Sequence, residues 1–260
     1  MPGCFMEPEQ LATRAPKHKM VLSISPVETE DVNLLVRKVE FPAHQDNPLH
    51  RLMFPRSKEQ HWEEKEDEIR WTIDGLLETV HQEDEPLYKA CGEDGSPVGL
   101  IGWTTSPGAF ATGVKCRDCT HGGPVVKSRA REVAKFKTRD SFNPPSLDVT
   151  SWLSISKRLR EERQRVIRDC QGSGICRITF MAVAPNHQRQ GVGSTLMRFF
   201  CDYVDENALD AFVLSSPAGI RLYSKFGFKA VGIVETKEGN FTSMLRTSGL
   251  SPRENTALPS

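Results

Sequence analysis

The 260 residues contain no run close to the ~20 apolar side chains that a helix needs to cross a bilayer. The opening stretch MPGCFMEPEQLATRAP also lacks the basic and apolar regions of a secretory signal. A soluble, cytoplasmic chain with no membrane partner is the expectation. Charge of one sign is missing too: 34 Lys and Arg meet 34 Asp and Glu, so no global positive field draws the chain to nucleic acid. Cysteine is sparse and odd in number, seven in all, which does not suit the dense framework of a small disulfide-stapled domain. Cys116, Cys119 and His121 are spaced as a metal clip would be, but no second CxxC or downstream HxxxH completes it, so no metal is expected. Repeats and low-complexity tracts are absent. What is present is 38% hydrophobic content over a length that allows a sizeable buried core.

Residues 1–19 and 248–260 are polar, Pro-bearing and aperiodic, and read as loose ends around one domain at 20–247. Met20 to Ile24 has strand character, and Thr29, Glu30 and Asp31 offer caps for a helix bearing Val32, Leu35, Val36 and Val39. His61 to His81 has helical apolar spacing with an acidic outer face, and Pro86 is the expected stop. Leu87–Cys91 and Pro97–Trp103 flank Gly92 to Gly95 as a hairpin would. Residues 105–174 read as an insertion, with a helical patch at Arg129–Lys137 and a second helix capped by Ser151 and ending near Gly172. Ile175 to Ala184 then reads as a buried strand closed by Pro185. Helical patterns at 192–204 and 218–226 alternate with strand patterns at 211–214, 231–234 and 243–245. The fold class is α+β (mixed α/β), with one central mixed sheet flanked by helices and a helical or loop insertion between the third and fourth strands.

The chemistry sits in the strand, loop and helix around Gln188-x-x-Gly191-x-Gly193. The first N–H groups of a helix have no carbonyl behind them, and the helix dipole makes that end positive, so such a turn suits a pyrophosphate. Gly191 and Gly193 keep Cβ atoms away from an approaching ligand. The dinucleotide fingerprint GxGxxG and the P-loop both fail here, since Ser194-Thr195-Leu196 follows Gly193 and no glycine of the loop precedes a Lys.

The run from Met181 through Ala182, Val183, Pro185, Gln188 and Gly191 to Gly193, followed by Leu222-Tyr-Ser-Lys-Phe-Gly-Phe228, resembles the signature of the GNAT superfamily of N-acetyltransferases. The resemblance implies acetyl-CoA (coenzyme A) as donor, and a fourth strand splayed from the fifth around the pantetheine arm. By that resemblance Met181, Ala182 and Val183 pair with the pantetheine amides. Gln188, Arg189, Gln190, Gly191, Val192 and Gly193 cradle the pyrophosphate, Ser216 donates a hydrogen bond near the cofactor, and Tyr223 is the general acid. A phenol of pKa about 10 can protonate a leaving thiolate of pKa about 8.5 on contact. The implied reaction is direct attack, in a ternary complex, by a primary amine of a small molecule or peptide.

The family's strand carboxylates that deprotonate the amine are replaced here by Arg177 and Ala211, while Asp210 belongs to the opposite face by strand alternation. A carboxylate from the acidic helix or the insertion, a water chain, or an amine that arrives neutral each remains open. A catalytically silent acyl-CoA-binding or regulatory module is the competing function. Charge is segregated, with 13 acids against 4 bases in Lys58–Asp94 and 12 bases against 5 acids in Lys127–Arg168. These segments either steer substrates or simply form solvated faces. Trp103 and Trp152 are open to use in an acceptor pocket or in the core.

Overall fold

The computed structural model describes residues 21–55, 65–82, 84–106, 143–170 and 174–248. Seven strands form one sheet in the order β1-β2-β3-β4-β5-β7-β6, namely β1 (Ser23–Pro26), β2 (Leu87–Cys91), β3 (Pro97–Ser106), β4 (Ile175–Val183), β5 (Asp210–Ser215), β6 (Lys229–Val234) and β7 (Phe241–Arg246). Every neighbouring pair is antiparallel except β4 with β5, which is parallel. Parallel neighbours need a crossover. Here it is α6 (Val192–Glu206), an amphipathic helix whose Leu196, Met197, Phe200 and Val204 are fully buried against the sheet. Alternation along the strands puts Ile101, Cys176, Ala211 and Val213 in that same core, joined by α7 (Ile220–Lys225) through Tyr223.

The opposite face carries a second apolar layer. There Val32 and Leu35 of α1 (Val32–Leu35), Phe41 of α2 (Phe41–His44), and Ile69 and Leu76 of α4 (Glu66–Val80) cover Leu100, Ala182 and Ala184. Between α1 and α2 the chain makes a π-helical turn at Val36–Glu40, closed by the Phe41 N–H donating to the Val36 carbonyl. Pro42, the next residue, has no N–H and its ring crowds the preceding turn, so the wider turn absorbs it. On this face too lies α5 (Val149–Asp169), with Val166 on Ile175 and Phe212. Its Ile155 packs with Val234, Phe241 and Leu52 of α3 (Pro48–Met53).

Several expectations shift. β1 begins at Ser23. The acidic helix ends at Val80, well before Pro86. The first helical turn is entered through Glu28, whose N–H donates to the Asp31 carboxylate at 2.8 Å. The cap of α5 is Asp148, not Ser151, because its carboxylate accepts from both the Ser151 N–H (2.9 Å) and hydroxyl (2.7 Å). Helices α2 and α3 were not anticipated. The patch at Arg129–Lys137 and the cysteines Cys116 and Cys119 with His121 lie outside the described residues.

Candidate active site

Strands β4 and β5 pair only at Ile175 with Asp210, Cys176 with Ala211 and Arg177 with Phe212. Beyond that rung β4 runs on to Val183 and β5 to Ser215 without bonding each other, while β5 stays paired to β7 as far as Ser215 with Thr242. The cause is local. The β3 register steps from Gly102 opposite Phe180 to Trp103 opposite Ile178, so β4 carries an extra residue at Thr179, and such a bulge bends and twists the strand. A groove opens between the two strands. The Ala184 N–H donates across to the Val98 carbonyl of β3 (3.0 Å), and bonding groups alternate along a strand. Met181 and Val183 therefore turn their main-chain groups into the groove. Ala182 turns its own toward Leu100, so the expectation that it also pairs with a ligand does not fit this register.

The chain leaves the groove through a 3-10 turn at Pro185–His187 and reaches α6 through Arg189 at φ 63° and Gly191 at φ 98°. The Gln188 side-chain amide donates to the Val183 carbonyl (3.2 Å) and that of Gln190 to the Asn186 carbonyl (2.7 Å), so both side chains brace the loop. The first bond of α6 runs from the Thr195 N–H to the Gly191 carbonyl at 3.0 Å. The N–H groups of Val192, Gly193 and Ser194 therefore precede any carbonyl of the helix. A Cβ on Gly191 would meet nothing within 4 Å, so the space before the helix is open. A Cβ on Gly193 would lie 3.3 Å from Leu222 Cδ2 and 3.6 Å from both Met181 Cε and Val183 Cγ2. Helix start, groove strand and α7 thus converge. Val192 contributes only its main chain, its side chain being buried in the core. The sequence reading missed Lys225, whose Nζ lies 3.5 Å from Ser194 Oγ and adds a cation beside the helix start. Nothing short of the α6–α7 contact marks it.

Tyr223 lies on α7, 5% exposed, its ring 5.7 Å from that of Phe228. Burial pushes its phenol above the ordinary value, so it holds its proton. The hydroxyl has no hydrogen-bond partner among the described residues. At the end of β5 the Ser215 hydroxyl donates to the Ser216 carbonyl (2.8 Å), which also accepts from the Gly219 N–H (3.0 Å), fixing the turn on which half-buried Ser216 sits.

On the opposite face of the fork, Arg177 shares the side of Ile175 that α5 covers. Burial, and then the charge of Arg163 on α5, push its guanidinium down to about 10. The carboxylate facing it is Glu85, from the turn between α4 and β2, whose carboxyl is held above the usual range by burial despite Arg177 and Arg163. Ala211 is buried beneath α6, and Asp210 accepts from the Ser248 N–H (2.8 Å), so neither serves the groove. Trp103 is core, stacked on Tyr88 at 5.2 Å, whereas Trp152 meets Trp71 edge-on at 5.7 Å between α5 and α4. Among the described residues no cluster of His, Cys, Asp and Glu is arranged to hold a metal, and no helix is long and apolar enough to cross a membrane.

Residues 159–230, from mid-α5 to the start of β6, match the family model described as an acetyltransferase (GNAT) domain. A solved structure of arylalkylamine N-acetyltransferase 2 from Aedes aegypti is similar at a TM-score of 0.56 and 14% identity, covering 87% of this chain and 98% of that one. Another, of histone acetyltransferase HPA2 and related acetyltransferase from Corynebacterium glutamicum, is similar at a TM-score of 0.53 and 14% identity, covering 88% and 98%. No curated protein matches closely enough to count as a relative. The forked sheet and the open helix start both fall on β4, α6, β5 and α7, within the segment that matches the acetyltransferase (GNAT) domain model, and the fold around them is similar to that of the two solved acetyltransferases.

Proposed function

We propose that this protein moves an acetyl group from acetyl-CoA to a primary amine of a small molecule or peptide, by direct attack with both substrates bound. The observation that carries the reading is the parting of β4 from β5 directly below the uncapped start of α6. When bound, acetyl-CoA supplies an activated thioester. Met181 and Val183 offer main-chain groups to the pantetheine amides and to the thioester oxygen, where charge develops during attack. The Gln188–Gly193 turn, with the first N–H groups of α6 and Lys225, holds the diphosphate; Ser216 stands at the groove's other wall. Tyr223, kept protonated by burial, gives its proton to the departing thiolate. Glu85 receives the proton that the amine must lose, in place of the strand carboxylate that Arg177 displaces.

Thiol release from acetyl-CoA over a panel of primary amines tests this. Amine-dependent release is expected. Coenzyme binding with no transfer to any amine would instead identify a silent acyl-CoA-binding module.

A further inference from the structure

Where the reaction wants a base, β4 presents a cation. Arg177 stands on the last parallel rung, at the fork, opposite Thr104 on one side and Phe212 on the other. Arg163 lies one turn before Val166, the residue that seats α5 on Ile175 and Phe212, so it points to the same stretch of sheet. Both guanidinium groups are half-buried. Neither makes an ion pair or a hydrogen bond with a described residue. Arg160, one turn earlier on α5, adds to the positive field at Arg163. The acid facing them, Glu85, is beyond ion-pair distance and is itself partly removed from water beside Asp84. Two desolvated cations are thus set against one distant carboxylate. Such an arrangement is relieved by an anion able to take bonds from both planar forks at once. Helices α4 and α5 meet through Trp71 and Trp152 at the far end, so the acceptor side of the fork is flanked by α4, α5 and β4 together.

We propose that Arg163 and Arg177 bind the carboxylate of the acceptor, making the substrate class an amino acid rather than a simple amine. This rests on the acetyl-transfer reading above. The amino end of such a zwitterion finds its complementary charge in Glu85, which sits on the same cluster with the opposite sign. A small amine without a carboxylate leaves the two guanidinium groups unmatched.

The test gives the full-length protein acetyl-CoA and a panel of α-, β- and γ-amino acids, each beside its own carboxamide, with thiol release as the readout and coenzyme binding measured separately by calorimetry. At least one acid is expected to exceed its carboxamide by about tenfold or more in kcat/KM, through KM. In Arg163→Gln and Arg177→Gln that ratio should fall towards one, while Arg177→Lys keeps part of it. Equal rates for acids and carboxamides in the parent, a ratio that survives both Gln variants, or transfer only to uncharged amines would overturn the carboxylate site and leave acetyl transfer standing. Absence of coenzyme binding would overturn the acetyl-transfer reading itself, and this inference with it.

Discussion

In the proposed reaction Tyr223 acts late, since a buried phenol that cannot ionise near neutrality is useful as a donor and useless as a base. Tyr223→Phe should therefore lower kcat by about a hundredfold while acetyl-CoA affinity, measured by titration, stays near that of the parent. Unchanged kcat removes Tyr223 from the mechanism. Glu85 gives a pH signature. Its carboxyl is raised, so as pH falls it loses its charge earlier than an ordinary glutamate of pKa about 4.3, and the acid limb of kcat/KM should begin above that range. In Glu85→Gln that limb should vanish and overall activity should drop. At this scale the sequence was readable within a contiguous motif, where Gly191 and Gly193 open the start of α6. It was silent on Glu85, Arg163 and Lys225, because their partners lie on other elements and only folding brings them near Arg177 and Ser194.

Among the elements, α5 is the one that ties down the β6–β7 end of the sheet. Its Glu162, largely buried, accepts from Arg165 (2.8 and 2.7 Å) and from the Ser243 hydroxyl of β7, and Arg165 in turn donates to the Val231 carbonyl of the edge strand β6 (2.9 Å). Those bonds, Arg165 first and Ser243 after it, hold the Glu162 carboxyl below the ordinary range. A depressed carboxyl adds stability above its unfolded-state pKa and loses it as pH falls through the folded value. Thermal melts should show this loss in the parent and less of it in Glu162→Gln. At neutral pH Glu162→Ala should cost about 2 kcal/mol, the size of a charge-assisted bond network broken on one side. Elements with strong periodicity, α4, α5 and α6, were legible from their apolar spacing. Helices α2 and α3 were not, being short and begun by Pro42 and by Asn47-Pro48, where proline reads as a break although it also suits the first turn of a helix. The cap of α5 went astray because Ser151 and Asp148 are both good caps, and the carboxylate won by taking two bonds.

Across the whole molecule, the neutral overall charge conceals a segregation: an acidic α4 and a basic α5 stand on the same face of the sheet, with the fork of β4 and β5 below. The opposite face is plain apolar core under α6, where Phe200→Ala should cost about 3–5 kcal/mol and lower the melting temperature without changing substrate preference. The order of the seven strands and of α4, α5, α6 and α7 along the chain was visible in the periodicity, as was the glycine-bearing turn at the start of α6. The splay was not visible from spacing, because it arises from one extra residue at Thr179 in a strand that otherwise reads as uniformly apolar. That splay has a function only if the helix above it binds the diphosphate. Calorimetric titration of coenzyme A into the parent and into Gly191→Glu tests this most directly, since a carboxylate there would occupy the open space with charge of the wrong sign. Affinity should fall by about a hundredfold or more, and further than in Gly191→Ala, which shares the backbone strain of a side chain at φ 98° but not the charge. Equal affinity in the two proteins would contradict the account.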